Sequence, residues 1–141
     1  MISLELAKRL KEAGLTWEPQ IGDMFYWHNG KDWEIDALTS EDVNGRLDET
    51  RDFIEEGFWI LAPRLDQLLA EIEKRGYSWE MRTVIDESQS VRFNAKNIAY
   101  WIHVWKTGHI EWEDGFKRAF TSPSNAAASA LLWILEGGTS K

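Results

Sequence analysis

Cysteine is absent from this chain of 141 residues. Its absence excludes a disulfide scaffold, a thiolate zinc site and a cysteine nucleophile. Basic residues are also few, because 16 lysines and arginines stand against 24 aspartates and glutamates, for a net charge of −8. Non-specific binding to nucleic acid or to anionic lipid requires a basic face. We therefore expect neither a nucleic-acid partner nor a membrane partner.

Long apolar runs are missing as well. The longest nearly apolar run covers residues 126–135, which is about half the length needed to span a bilayer. Residues 1–14 carry charged side chains where a secretory signal would have its apolar segment. These features predict a cytoplasmic protein.

Tryptophan is the residue in excess, with nine in the chain. Indole rings serve either as platforms on which sugars stack or as large anchors for a small core. Several short predicted elements each need one anchor, so the core role is the favoured interpretation.

The first half of the chain predicts a helix over residues 3–13 and then a β-hairpin. Asn29 and Gly30 are the strongest turn signal, since both tolerate the positive φ of a two-residue hairpin loop. That loop pairs Tyr26 with Trp33 and places both on one face. Residues 39–57 are acidic without a clear period, and predict a loop with a helical turn near 52–56. Residues 58–61 predict a strand.

The second half predicts helices over 64–75 and 123–136 around three strands at 79–85, 98–105 and 109–113. The fold class is α+β, with a mainly antiparallel sheet and helices packed chiefly on one face. We expect one domain over 1–141, with sub-units at 1–62 and 63–141 as the alternative. The order helix–strand–strand–strand–helix also occurs in double-stranded RNA-binding domains. The last helix, however, begins with Ser122 and Pro123 and lacks the basic residues that such domains place there.

Sequence motifs for catalysis or metal binding are not found. His28, His103 and His109 lack the spacing of a zinc site, and no nucleophile elbow or phosphate-binding glycine loop is present. The pair Glu111 and Glu113 is best interpreted as a solvated strand face. We expect no cofactor, no metal and no catalytic residue, and an enzyme is disfavoured without being excluded.

Strand parity predicts a first candidate surface in the second half. If the tryptophans of strand 98–105 point at the helices, an aliphatic strip points away from them and needs a cover. That cover is the N-terminal half, a second copy of the chain or another protein. The strip consists of Val84, Tyr100, Ile102 and Val104.

Charge predicts a second candidate surface in the first half. Residues 1–64 hold fourteen acidic against seven basic residues, and the surplus is concentrated in 41–56. This segment either keeps the protein in solution or forms an acidic docking surface for a basic protein. The candidate residues are Glu49, Asp52, Glu55 and Glu56.

Residues 59–136 resemble small uncharacterised proteins of phages and prophages in Gram-positive bacteria, some of which are α–β–α sandwich domains. The resemblance rests on WILAPRLDQLL at 59–69, RGY at 75–77, TSPSNAAA at 121–128 and ALLW at 130–133. It implies the same fold class and a mobile-element setting. It implies no activity and no site residues.

The favoured function is therefore a non-enzymatic protein–protein interaction module that contacts another protein or a second copy of itself. The alternative is a small-ligand-binding protein or enzyme with an aromatic-lined pocket near Trp27, Trp33 or Trp59.

Overall fold

The computed structural model describes residues 1–16, 18–85, 98–109 and 115–138. The α+β class is confirmed, because these residues form helices and two three-stranded antiparallel sheets. These elements divide into two compact units, Met1–Arg64 and Leu65–Lys141. Whether the units behave as one domain stays a prediction.

Unit 1 contains two α-helices, a short π-helical turn and a sheet with the strand order β2-β1-β3. Ser3 begins the first helix, since its hydroxyl accepts a hydrogen bond from the Leu6 amide at 3.2 Å. The elements in chain order are α1 (Leu4–Glu12), β1 (Met24–His28), β2 (Trp33–Ala37), the π-helical turn (Glu41–Gly45), α2 (Leu47–Glu55) and β3 (Trp59–Ala62).

The hairpin of β1 and β2 has a longer loop than the sequence predicts. His28 pairs with Trp33, and Tyr26 pairs with Ile35, so the register is shifted by two residues. The Asn29 side chain explains the longer loop, because its Oδ1 accepts hydrogen bonds from the amides of Lys31 and Asp32 at 2.9 and 2.8 Å. A shift of two leaves every side chain on its predicted face.

The two helices of unit 1 contact opposite faces of this sheet. On one face, the Tyr26 hydroxyl donates to the backbone carbonyl of Ile2, just before α1, at 2.6 Å. On the other face, the ring of Phe53 in α2 lies 5.0 Å from that of Trp59. Strands β1 and β3 are therefore largely covered within the unit, whereas the residues of β2 are mostly exposed.

Unit 2 has the predicted order of a helix, three strands and a helix. Its sheet has the strand order β4-β5-β6, and both helices pack on one face of it. Both helices of this unit, like α1, match their predicted bounds within one residue. The elements are α3 (Leu65–Lys74), β4 (Tyr77–Ile85), β5 (Ile98–Lys106), β6 (Phe116–Phe120) and α4 (Pro123–Leu135).

The orientation predicted for β5 is wrong. Ile102 and Val104 are fully buried, and Val104 pairs with Phe116, whose ring lies 5.9 Å from that of Trp133 in α4. The helices therefore cover the aliphatic residues. Trp101 and Trp105 lie half-buried on the opposite face, because successive side chains of a strand alternate between faces.

The strand predicted at 109–113, with Glu111 and Glu113, lies largely outside the described residues. Among the described residues, the third strand of the sheet is β6, which the sequence pattern did not predict. None of the helices in the described ranges has the length and apolar character needed to cross a bilayer.

Candidate functional site

The start of α2 is held by a buried carboxylate in the preceding π-helical turn. Asp42 accepts hydrogen bonds from the amide and hydroxyl of Thr39 at 2.8 and 2.9 Å and from the Arg46 guanidinium at 3.1 Å. Burial by itself raises the pKa of Asp42, but these hydrogen bonds and the charge of Arg46 together lower the pKa below its usual value. The Thr50 hydroxyl then donates to the Asp42 carbonyl at 2.8 Å, which ties α2 to the turn.

The end of α2 is a Schellman motif. The Phe58 amide donates to the Phe53 carbonyl at 2.9 Å, and the Gly57 amide donates to the Ile54 carbonyl at 3.2 Å. Gly57 has a φ of 87°, a conformation that glycine adopts without a steric cost. This reversal brings the rings of Phe53 and Phe58 into an edge contact, with centroids 6.3 Å apart.

A chain of ring contacts connects this phenylalanine pair to the sheet. Phe53 lies against Trp59, and Trp59 stacks on Phe25 with centroids 4.4 Å apart. Phe25 is buried. The pair is therefore anchored on one side by the core of unit 1.

The outer side of the pair is open to solvent, with Phe53 exposed by 39% and Phe58 by 59%. Glu49 and Glu56 are four and three residues from Phe53, so they are its neighbours on the helix surface, and Asp52 is a neighbour of both carboxylates. All three carboxylates are exposed. Within the described ranges, none of these three carboxylates makes an ion pair or a side-chain hydrogen bond. We call this set the α2 surface; it consists of Glu49, Asp52, Phe53, Glu56 and Phe58.

The structure brings together only part of what the sequence predicted as a site. Glu49, Asp52 and Glu56 lie on the α2 surface, whereas Glu55 is exposed on the other side of α2 and lines a cavity there. Ile102 and Val104 are buried under helices, and Tyr100 is half-buried on their face. The side chain of Val84 lies outside the description.

Sequence reasoning missed both phenylalanines of the α2 surface. A loop over 39–57 with only a helical turn near 52–56 is shorter than the observed α2, and it gives no reason to place Phe53 beside Phe58. The available signal was the glycine that follows the amphipathic segment and precedes Phe58, since a helix ending at such a glycine brings these two positions together.

The tryptophans expected around a pocket do not converge. Trp27 and Trp59 pair with each other across β1 and β3. Trp33 lies on the other face, under the Lys8 ammonium, which is 4.6 Å from its ring centroid. Among the described residues, no three histidine or carboxylate side chains lie close enough together to hold a metal ion.

The α2 surface thus combines exposed aromatic area with negative charge on a helix that packs against the core of unit 1. Phenyl rings and carboxylates of this kind are complementary to a surface that is apolar and basic. Comparison with known proteins finds no matching family model, no matching curated protein and no matching solved structure.

Proposed function

We propose that this protein is a non-enzymatic protein-interaction module and that the α2 surface binds a basic segment of another protein. The observation that carries the proposal is the exposed pair of Phe53 and Phe58, which the core holds in place beside carboxylates without partners. Lysine or arginine of the partner would face the carboxylates, and an apolar side chain would cover the rings.

The rings supply the apolar part of the binding energy. Fully burying a phenylalanine contributes about 1.5–3 kcal/mol. Since Phe53 and Phe58 are already partly covered, we expect roughly 1 kcal/mol from each on binding. Such a small surface fits a transient interaction better than a permanent complex.

The carboxylates supply attraction and selectivity. Three like charges within two helical turns repel one another, and a basic partner removes that repulsion. Complementary charge of this kind mainly raises the association rate and excludes wrong partners. A second copy of the chain is disfavoured at this surface, because symmetric pairing would bring the same acidic side chains together.

Residues 59–136 resemble phage and prophage proteins in sequence, and this resemblance supports a mobile-element setting for the proposed function. We propose that the basic partner belongs either to the mobile element or to the host cell that carries it. The chemistry of the α2 surface makes no distinction between these two sources.

The proposal is tested with a labelled amphipathic peptide of leucine and lysine, whose binding is followed by fluorescence anisotropy at low and moderate salt. We expect binding that weakens as salt rises, because salt screens exposed charges. The same peptide with glutamine in place of lysine is expected to bind at least tenfold more weakly. Equal binding of the two peptides would contradict the assignment of a basic partner.

Two variants locate the site. Phe58→Ser and the triple change Glu49→Gln, Asp52→Asn and Glu56→Gln are each expected to weaken peptide binding about tenfold. Matched controls lie elsewhere on unit 1. Ile21→Ser removes an apolar side chain of similar exposure (56%), and the triple change Glu12→Gln, Asp32→Asn and Glu34→Gln removes the same net charge. If the controls reduce binding as much as the α2 variants, the peptide recognises overall charge and the α2 surface is not the site.

A further inference from the structure

A cavity of about 410 Å³ lies in unit 1 between α1, α2 and the edge strand β3. Its volume falls within the usual range of small-molecule sites. The walls are mainly aliphatic and come from all three elements and from the loop after α1; they include Ala7, Leu10, Leu15, Ile54, Leu61 and Pro63. A cavity of this kind favours a compact apolar group.

Two cationic side chains line this cavity, Lys11 and Arg51, and Lys11 is the more buried of them. The Lys11 ammonium donates to the Ile54 carbonyl at 2.5 Å, near the negative end of the α2 dipole. Among the described residues, no carboxylate lies within ion-pairing distance of Lys11. The side chain is half-buried, so its positive charge is only partly solvated.

The other charged residues that line the cavity are exposed. Arg51 forms an ion pair with Glu18, and both side chains are substantially exposed. This pair is neutral as a whole and, as an exposed ion pair, stabilises little. Glu55 is exposed, so water screens its charge. The partly buried positive charge of Lys11 therefore dominates the electrostatics of the interior.

We propose that this cavity binds a small apolar carboxylate, with the hydrocarbon part against the aliphatic walls and the carboxylate on the Lys11 ammonium. A charge-assisted hydrogen bond of this type is about twice as strong as a neutral one. The site is separate from the α2 surface and does not depend on the function proposed for it.

The test uses isothermal titration calorimetry of the full chain with sodium octanoate. Octanol and octylamine serve as neutral and cationic ligands of the same chain length. We expect octanoate to bind at least tenfold more tightly than octanol and octylamine to bind most weakly. Absence of octanoate binding at millimolar concentration, or equal binding of octanoate and octanol, would overturn the proposal.

Single substitutions test whether octanoate binds in this cavity. Lys11→Gln is expected to lose at least tenfold in octanoate affinity and to leave octanol binding unchanged. Lys8→Gln, on the same helix but over Trp33, is the matched control and should bind octanoate like the parent protein. Ala7→Leu fills the cavity and should weaken both octanoate and octanol. Unchanged octanoate binding in either Lys11→Gln or Ala7→Leu would place the ligand elsewhere.

A final control separates this site from the proposed protein-binding function. Phe58→Ser is expected to leave octanoate binding unchanged, whereas it weakens the basic peptide. If Phe58→Ser abolished octanoate binding as well, octanoate would be binding at the exposed rings, and the cavity assignment would be wrong.

Discussion

Replacing Gly57 by alanine is expected to destabilise unit 1 by about 1 kcal/mol. Gly57 has a φ of 87°, and an alanine in the left-handed region costs roughly 1–2 kcal/mol. Alanine also reduces the freedom of the unfolded chain, which offsets roughly 0.4–1 kcal/mol of that cost. The added Cβ would lie 3.3 Å from the Lys11 ammonium, so the lysine has to move slightly.

The measurement is urea unfolding followed by far-UV circular dichroism. Asparagine tolerates the left-handed region better than alanine, so Gly57→Asn should cost less than Gly57→Ala. Gly45→Ala is the matched control, since Gly45 does not have a positive φ. Its added Cβ would lie 3.3 Å from the Cγ of Glu41, an exposed side chain that can move, so the replacement is expected to cost little. If Gly57→Ala were as stable as the parent protein, the Schellman motif that positions Phe58 would be refuted.

Three further predictions follow from buried groups. Ile102→Ala should cost about 2–5 kcal/mol in urea unfolding, because Ile102 is fully buried in the central strand; a cost below 1 kcal/mol would contradict the orientation of β5. The lowered pKa of Asp42 stabilises the protein at pH values above the usual carboxyl pKa of about 3.9, and this contribution is lost as pH falls from there through the lowered pKa. In acid titrations, Asp42→Asn should therefore be less stable at neutral pH and should lose less stability on acidification, and parallel curves would argue against the Asp42 network. Tyr26→Phe should cost about 1 kcal/mol, since it removes the buried hydrogen bond to Ile2, and a thermal melt without a decrease in Tm would count against that bond.

Local patterns in the sequence were sufficient for most of the helices and for the first hairpin. Ser3 and Ser122 accept hydrogen bonds at the starts of α1 and α4, as serine caps are expected to do. The hairpin forms at Asn29 and Gly30 as predicted, but its loop is two residues longer, and the shifted register keeps the predicted faces. These features depend on interactions between residues that are close in the sequence, so local sequence patterns are enough to predict them.

The α2 surface was only half predictable. Its carboxylates follow from composition, because acidic side chains in a segment of high charge remain in water. The helix that orders them depends on Asp42 and Thr50, eight residues apart, and on the packing of Phe53 against Trp59. Helix propensity alone is a weak guide where tertiary contacts provide most of the stability.

The sequence by itself determined the α+β class, the bounds of α1, α3 and α4, the acidic character of the first half and the exclusion of cysteine chemistry. Only the tertiary structure decided which face of β5 is buried. Both faces of that strand carry large apolar side chains, so alternation could not choose between them. Packing against helix α4 decides which face is buried. Ala126, Ala127 and Ala130 of α4 are buried, and because they are small the helix can lie close to the sheet. Compact Ile102 and Val104 lie beneath the helices, and the bulkier indoles of Trp101 and Trp105 are left on the opposite face.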